Sequence, residues 1–245
     1  MGRDPAQTHW GATVSLREAW DGQAENWIRW TRTPGHDSFA QFHGEAFFTL
    51  VPPPGRLTLD IGAGEGRVSR ALKAHGHTML EIDGSPKMRA GSAELGGVGA
   101  VGDAACLPIR SSVADCVIAF MSFQDVDDMP AAVMEAARVL APGGALVMAV
   151  VHPINSGGRF QPGPDEMTRP FVMDDSPYLD KRYYADDIVR DGLPMRFESI
   201  HWPIEAYSRA LEDAGLVIEA IREVCDVEGK WTKLPLFLDL RACKQ

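Results

Sequence analysis

In the middle of the chain, the spacing of apolar residues alternates between a strand pattern and a helix pattern. Short apolar runs typical of buried parallel strands alternate with stretches in which apolar residues recur at helical spacing, from residue 56 to residue 151. Strands that alternate with helices in this way pair in parallel. The pattern therefore predicts an α/β fold with a parallel sheet and helices on both faces.

The strands and helices follow from this pattern. Strands are expected at 56–61, 79–83, 113–120 and 145–151, with a helix at 68–74 after the first of them. Beyond residue 200, a helix is expected from Ile204 to Ala214, where Gly215 ends it, followed by strands at 216–224 and 234–242.

The flanking segments have a different character. Residues 1–55, the predicted cap, contain Trp10, Trp20, Trp27 and Trp30, with helices expected at 15–30 and 38–50 before the stiff linker at 51–55. Residues 152–200 break the strand and helix rhythm with glycine, proline, acidic residues and aromatics. A long irregular insertion in a compact domain is usually a cover or a linker, and the aromatics favour a substrate lid. We expect one domain over 1–245, with cap, core (56–151), lid (152–200) and a final segment (201–245).

Composition excludes several classes of function. The chain has 24 basic and 34 acidic residues and a net charge of −10, which argues against a nucleic-acid substrate. No apolar run approaches the ~20 residues of a membrane span, and the first residues lack the apolar core of a signal peptide. The four cysteines have no C-x-x-C spacing, which indicates reduced thiols in a cytoplasmic protein.

A glycine-rich turn follows the first predicted strand. The strand ends at Asp60 and Ile61, and glycines occupy positions 62, 64 and 66. Glycine suits a turn that needs positive φ angles and a close approach of the backbone to a ligand. A dinucleotide-binding turn requires G-x-G-x-x-G, but Arg67 occupies the position where the last glycine of that motif would stand.

The G-x-G-x-G spacing after an acidic strand end resembles the class I S-adenosylmethionine (SAM)-dependent methyltransferases, in particular the small-molecule, type 11-like members. Four further segments resemble that family in the same order: 79–88, 102–108, 113–120 and 137–151. The resemblance implies a Rossmann-like, seven-stranded, mostly parallel sheet that an antiparallel C-terminal hairpin closes. It also implies SAM as the cofactor and an enzyme that transfers a methyl group.

The resemblance further implies which residues contact SAM. Asp83 would accept hydrogen bonds from the ribose hydroxyls and Asp103 from the adenine amino group. SAM carries no phosphate, so carboxylates are more useful than a phosphate-binding helix terminus. The full expected set is Asp60, Gly62, Ala63, Gly64, Asp83, Gly84, Ser85, Met88, Gly102, Asp103, Ala104, Phe120 and Met121.

Candidate catalytic residues follow the fourth and fifth strands, since ligands of open α/β sheets lie beyond the carboxyl ends of the strands. His152 is the leading candidate for the base that takes a proton from the acceptor, with Asp125 as a second base or as its orienting partner. His201 is the third candidate. It resembles the histidine of a His-Arg pair in related enzymes, but here Trp202 replaces the arginine, which favours a more apolar acceptor.

The expected reaction is methylation of a small molecule, with oxygen slightly ahead of nitrogen or carbon as the methylated atom. Four alternatives stay open at this point: a nicotinamide oxidoreductase, a methyltransferase-fold enzyme that uses SAM as a cation for another reaction, a noncatalytic SAM-binding module, and a metal-dependent enzyme. The last would use Asp125, Asp127 and Asp128 as ligands. No metal site is expected, because Asp127 or Asp128 is better explained as a helix cap. The sequence leaves the oligomeric state open.

Overall fold

A seven-stranded sheet forms the centre of the protein in a computed structural model that describes residues 14–165 and 167–245. Trp10 lies outside the described residues. The strands over these residues are β1 Thr58–Ile61, β2 Met79–Asp83, β3 Gly99–Val101, β4 Ala114–Phe120, β5 Leu140–Val151, β6 Gly158–Phe160, β7 Phe171–Met173, β8 Arg182–Arg190, β9 Leu193–His201, β10 Leu216–Val224 and β11 Phe237–Lys244.

Helices connect and cover these strands. The α-helices are α1 Leu16–Arg32, α2 Gly44–Phe48, α3 Arg67–Ala74, α4 Pro86–Ala93, α5 Met129–Val139, α6 Pro153–Ser156 and α7 Ile204–Asp213. A π-helical turn covers Phe39–His43, and 3₁₀ turns cover Phe123–Asp125 and Lys230–Thr232.

The strand order of the large sheet is β10-β11-β5-β4-β1-β2-β3. The five strands from β3 to β5 pair in parallel, whereas β11 is antiparallel to β5 and β10 is antiparallel to β11. The predicted fold class is confirmed: a mostly parallel sheet with an antiparallel C-terminal hairpin. Because parallel strands share a direction, their carboxyl ends meet at one edge of the sheet.

Side chains of the central strands point alternately to the two faces of the sheet, and a hydrophobic core covers each face. In β4, Val117 and Ala119 join a cluster that includes residues of α5 and α7, whereas Ile118 and Phe120 join a cluster with α3 and the segment 39–51. Successive side chains of a strand point to opposite faces, so a strand buried on both faces is apolar at every position. This explains why the central strands have continuous apolar runs.

Several boundaries differ from the prediction, and three of these differences change an element by division or by three or more residues. The helix expected over 38–50 is divided into the π-helical turn and α2, which meet at Gly44 with a φ of 36°. The strand β5 begins at Leu140, because Leu140 pairs with Ala114 before the chain reaches 145. The last strand begins at Phe237 and not at 234, because Pro235 has no amide hydrogen to donate to a ladder.

The predicted lid contains regular structure. Strands β6 and β7 form one antiparallel hairpin, and β8 and β9 form another over residues 182–201. The second hairpin turns at Asp191 and Gly192, whose φ angles of 51° and 78° match a two-residue hairpin turn. The prediction that this stretch is irregular is therefore wrong for these residues, since an Asp-Gly pair is itself a hairpin signal. The division of the chain at 55, 151 and 200 stays a prediction.

Across residues 14–165 and 167–245, the structure contains no helix that combines the length and the apolar character needed to cross a membrane.

Candidate functional site

A cavity of about 1540 Å³ opens at the carboxyl edge of the parallel strands. Its walls include the turn after β1, the end of β2, the loop after β3 and the residues that follow β4. Residues of α1 and of the β8–β9 hairpin cover it from above. The position agrees with the general rule that ligands of open α/β sheets bind beyond the carboxyl ends of the strands.

Positive φ angles and close neighbours favour glycine in the turn between β1 and α3. Gly62 has a φ of 70°, and a Cβ there would lie 2.4 Å from the Cβ of Ser122. Ser122 in turn donates a hydrogen bond to the carbonyl of Ile61 at 2.8 Å. Gly64 has a φ of 57°, and a Cβ there would approach Nε1 of Trp27 to 3.4 Å. Both glycines therefore let the turn lie against its neighbours and expose its backbone to the cavity.

Asp83 is held at the cavity wall by backbone amides. Its Oδ2 accepts a hydrogen bond from Gly64 N at 2.7 Å, and its Oδ1 accepts one from Ser85 N at 2.8 Å. Burial raises the pKa of the Asp83 carboxyl, and these two hydrogen bonds oppose the rise. Ser85 also begins α4 as its N-cap, because its Oγ accepts from Met88 N at 3.1 Å. The carboxylate thus has a fixed position next to the glycine turn.

The loop after β3 brings Asp103 to the same cavity. Its Oδ1 accepts a hydrogen bond from Ala105 N at 2.9 Å, which fixes the loop as a tight turn. A Cβ at Gly102 would lie 2.9 Å from Ile82 and 3.0 Å from Pro108, so the loop packs closely on β2. This packing sets Asp103 beyond β3, one strand further along the edge than Asp83.

The structure brings together most of the predicted cofactor residues. Those that line the cavity are Gly62, Gly64, Asp83, Gly84, Ser85, Met88, Gly102, Asp103, Ala104, Phe120 and Met121. Asp60 and Ala63 are not among the described residues that line it. Asp60 lies behind the turn and accepts a hydrogen bond from Ser69 Oγ at 2.7 Å, and burial raises its pKa to about 7. It ties β1 to α3.

Asp125 lies inside the cavity on the 3₁₀ turn after β4. Its Oδ1 accepts a hydrogen bond from Ser199 Oγ of β9 at 2.6 Å, and its Oδ2 accepts one from Gln124 Nε2 at 3.3 Å. Burial raises the pKa of this carboxyl well above 3.8. The carboxylate of Asp125 is therefore a stronger base than an ordinary carboxylate.

The His152 side chain points toward the antiparallel hairpin of β10 and β11 at one edge of the sheet. It is the N-cap of α6, where its Nδ1 accepts from Ile154 N at 3.1 Å, and its Nε2 lies 3.2 Å from Glu223 Oε1 on β10. Burial lowers its pKa, against the attraction of Glu223. Among the described residues that line the cavity, His152 is absent.

His201 is fully buried between the lid and α6. Its Nε2 donates to the carbonyl of Tyr178 at 2.8 Å, so its Nδ1 accepts from Ser156 Oγ at 2.7 Å. Over the part of the chain that the structure describes, it too is missing from the cavity wall. Of the three predicted catalytic residues, the structure brings only Asp125 to the cavity.

Aromatic side chains that the sequence had only loosely assigned form the cover of the cavity. Phe197 of β9 contacts the rings of Trp20, Trp27 and Trp30 of α1, with centroid distances of 6.4, 6.0 and 5.8 Å. Trp20 Nε1 donates to the carbonyl of Glu198 at 3.0 Å. We call α1 together with the β8–β9 hairpin the roof.

The tip of the hairpin is fastened to the predicted cap. His36 Nε2 lies 2.9 Å from Asp191 Oδ2, and Arg190 donates to the carbonyl of Gly35 at 3.1 Å. The Arg190 guanidinium also lies 5.5 Å from the ring centre of Trp30. The contacts of His36 and Gly35 each join residues 155 positions apart, and no local pattern in the sequence indicates them.

Arg67 is a second residue that the sequence reasoning missed as a site residue. It lines the cavity, its Nε lies 2.9 Å from Asp37 Oδ1, and its guanidinium carbon lies 4.7 Å from the ring centre of Trp27. The sequence did contain a signal for this residue. A charged residue directly after the glycine turn begins α3 at the edge of the cavity.

The acidic residues after β4 serve the fold. Asp128 caps α5 by accepting from Ala131 N at 3.1 Å, and Asp127 accepts from Leu16 N of α1 at 3.2 Å. Within residues 14–165 and 167–245, no group of three or more His, Cys, Asp or Glu side chains is arranged to hold a metal ion.

Comparison with known proteins gives the family of the central segment. Residues 59–148 match the family model described as "Methyltransferase domain". This segment is therefore similar to a methyltransferase domain. The domain carries the glycine turn, Asp83, Asp103 and Asp125, whereas His152 and His201 lie beyond the matched residues.

Two curated relatives each match over less than half of this chain. A malonyl-[acyl-carrier protein] O-methyltransferase from Methylococcus capsulatus is 34% identical over 131 residues, which cover 47% of this chain and 46% of that protein. A ubiquinone/menaquinone biosynthesis C-methyltransferase UbiE from Caulobacter is 32% identical over 110 residues, covering 39% of this chain and 44% of that protein. The chain therefore spans less than half the length of these relatives.

The similarity of fold extends beyond the methyltransferase domain. A crystal structure of an S-adenosylmethionine dependent methyltransferase from Mesorhizobium loti superposes with a TM-score of 0.65 at 22% identity. The superposition covers 82% of this chain and 96% of the other. Most of the elements outside the domain thus belong to the same fold.

Proposed function

We propose that this chain is an enzyme that transfers a methyl group from SAM to a small-molecule acceptor. The observation that carries the proposal is that one cavity joins Asp83 and Asp103 to the partly buried carboxyl of Asp125. Its volume of about 1540 Å³ exceeds the roughly 300–1,000 Å³ typical of one small-molecule site. A cofactor and an acceptor can therefore occupy it together.

The donor and acceptor groups of the cavity fit SAM. Asp83 would accept the ribose hydroxyls, Asp103 would accept the adenine amino group, and the side-chain-free surface of Gly62 and Gly64 admits a close ligand. When bound, SAM supplies an electrophilic methyl group on a sulfonium centre. The same proposal includes the other predicted cofactor residues that line the cavity, from Gly84 to Met121. Asp60 supports the site indirectly, because its hydrogen bond with Ser69 ties β1 to α3 behind the turn.

Asp125 is the proposed base for the acceptor. It is the predicted catalytic residue that lines the cavity, and Ser199 holds its carboxyl in place at 2.6 Å. A hydroxyl acceptor must lose its proton as the new bond to carbon forms, and a carboxylate with a raised pKa is a stronger base than an ordinary one. We keep oxygen ahead of nitrogen and carbon as the methylated atom; the named activities of the relatives include both O- and C-methylation.

The proposed setting is the cytoplasm, and the proposed acceptor is not a nucleic acid. The net charge of −10 would repel a phosphate backbone. Cys106, Cys116, Cys225 and Cys243 are all free thiols, which is typical of a reducing compartment.

Calorimetric titration of the purified protein with S-adenosylhomocysteine (SAH), NADH and NADPH tests the cofactor. We expect micromolar affinity for SAH and no binding of the nicotinamides. Absence of SAH binding by a folded sample would refute the proposal. With the cofactor established, labelled SAM and a panel of phenols, alcohols, amines and carbon acids test the acceptor. SAH binding without methyl transfer to any class would favour a noncatalytic module or a different reaction.

A further inference from the structure

Arg182 begins strand β8 and lines the cavity, with only 10% of its side chain exposed. Its Nη2 donates to the carbonyl of Ser156 at 3.3 Å and to Asp174 Oδ2 at 3.4 Å. Within residues 14–165 and 167–245, no hydrogen-bond partner reaches its Nη1. A buried guanidinium nitrogen without an acceptor costs free energy. Arg182 is therefore suited to bind a further acceptor group from a molecule in the cavity.

A second arginine shares the same carboxylate. Arg159 of β6 also lines the cavity, is 31% exposed, and donates to Asp174 Oδ1 at 2.7 Å. The two guanidinium groups carry one positive charge more than Asp174 balances. Asp175 and Asp226 line the cavity as well, but over the described residues neither forms an ion pair with either arginine. Because the planar fork of an arginine matches the two oxygens of a carboxylate, the pair is suited to an anionic group of a ligand.

The ladder between β8 and β9 relates this pair of arginines to Asp125. Tyr184 pairs with Ser199, and Ser199 donates to Asp125 Oδ1 at 2.6 Å. Arg182 precedes Tyr184 by two positions, so the two residues share a face of β8 and lie on the order of 7 Å apart. Tyr184 is buried and lines the cavity. An aromatic ring packed beside Tyr184 would direct a hydroxyl toward Asp125 and an anionic group toward Arg182.

We infer that Arg182 and Arg159 bind a carboxylate of the methyl acceptor, which makes the acceptor a hydroxylated aromatic acid. The inference rests on the proposed function, because it assumes methyl transfer with Asp125 as the base. The hydroxyl oxygen takes the methyl group from the sulfonium of SAM, and Asp125 takes the hydroxyl proton. SAH is the second product, and the carboxylate does not react. The sequence favoured a more apolar acceptor because of Trp202, whereas Arg182 supplies on β8 the positive charge that position 202 lacks.

Acids and their amides of the same shape test the carboxylate. The probes are para-hydroxybenzoate, para-hydroxyphenylacetate and para-hydroxyphenylpropanoate, each beside its amide. We would titrate them by calorimetry at neutral pH into the wild type, Arg182→Met and Arg196→Met, all saturated with SAH. Because SAH is already bound, its own carboxylate does not contribute to the difference. Arg196 is a matched control: it lines the same cavity and Met removes the same charge, but Asp187 and Glu198 pair with it at 2.7 and 2.8 Å.

The wild type should bind at least one acid about tenfold or more tightly than its amide, the scale of a charged hydrogen bond. Arg182→Met should bring this ratio to near one, Arg159→Met should lower it, and Arg196→Met should retain it. Because each variant is compared on both members of a pair, a general loss of affinity cancels. Arg182→Lys keeps the charge without the fork and should give an intermediate ratio; it also serves if Arg182→Met does not fold. With labelled SAM, the preferred acid should receive the methyl group, and kcat/KM should follow the same order among the variants.

The contrary results separate this inference from the proposed function. No preference for an acid in the wild type, or a full preference in folded Arg182→Met, overturns the carboxylate site and leaves SAM binding intact. Loss of the preference in Arg196→Met as well overturns it too, since the charge of the whole cavity would then select acids. A preferred acid that receives no methyl group overturns the assignment of the acceptor. No SAH binding by the folded wild type overturns the proposed function and this inference with it.

Discussion

Asp83 and Asp125 are both partly buried residues of the cavity wall, but their hydrogen-bond partners differ. Two backbone amides donate to Asp83, and these stabilise its ionised form against the cost of burial. Asp125 receives one hydroxyl and one weaker side-chain amide, so burial dominates and its pKa rises well above 3.8. The first is suited to bind hydroxyl donors, and the second is suited to take a proton.

Replacement of Asp83 with Ala should weaken SAH binding by about 1.5–3 kcal/mol, because the ribose hydroxyls lose a charged acceptor. Calorimetry measures the change, and circular dichroism checks that the variant folds. Asp187→Ala is the control: Asp187 lines the same cavity but pairs with Arg196 on the roof, so SAH affinity should stay within error. Equal affinity of wild type and Asp83→Ala would remove Asp83 from the cofactor site.

Replacement of Asp125 with Asn should lower kcat by roughly 10²–10⁴-fold, the usual contribution of a general base, with SAH affinity nearly unchanged. It should also change the pH dependence of stability. The folded protein holds the Asp125 proton more tightly than the unfolded chain, so this contribution is present below about pH 4 and is lost as pH rises toward the folded pKa.

Denaturant unfolding at several pH values measures that second effect. Between pH 4 and 7, the free energy of unfolding of the wild type should fall relative to Asp125→Asn, by at most ~1.4 kcal/mol per pH unit. Parallel curves for the two proteins would show that Asp125 has an ordinary pKa, and full turnover by Asp125→Asn would show that another group is the base.

At the scale of elements, the turn between β1 and α3 owes its shape to glycine and to close packing. Gly62→Ala should destabilise the protein by about 2–5 kcal/mol, because it adds strain at a positive φ and overpacking against Ser122. Gly96→Ala isolates the strain, since Gly96 has a φ of 79° and nothing within 4 Å of a Cβ. Denaturant unfolding of both variants measures the difference. Equal destabilisation of the two variants would mean that Ser122 moves away from the new Cβ at no cost in free energy.

Local patterns predict elements better than they predict how elements meet. The strand β10 appears with the bounds predicted from its apolar run and Gly215, and the glycine turn is where its spacing puts it. The direction of a side chain depends on distant partners. A hydrogen bond from Ser69 holds the Asp60 side chain behind the glycine turn. The His152 side chain points toward Glu223 of β10 and does not line the cavity. The prediction of a lid did not include its contact with α1, because Trp20 and Glu198 are 178 positions apart.

At the scale of the whole molecule, the cavity wall combines residues from both ends of the described chain, from Ser15 to Phe237. A ligand that fills the cavity contacts the sheet edge and the roof together. Binding to the folded state alone stabilises it in proportion to ligand concentration. We therefore expect SAH to stabilise the protein as one unit.

Saturation with SAH at a hundred times its Kd should raise the Tm by roughly 5–11 °C, which corresponds to ~2.7 kcal/mol for a protein of this size. Tryptophan emission and far-ultraviolet circular dichroism should report the same shift, because the roof and the sheet unfold together. NADH at the same concentration is the control and should leave the Tm unchanged. A shift seen only in tryptophan emission would mean that the roof melts separately from the sheet.

The roof has a consequence for the order in which the chain acquires its structure. Gly64 and Asp83, on the cofactor side of the cavity, are 19 positions apart, whereas His36 and Asp191 are 155 positions apart. Closing a longer stretch of chain costs more entropy and delays contact formation. During refolding, we expect the sheet edge to recognise SAH before the hairpin docks on α1, so the roof is the last part of the cavity to form.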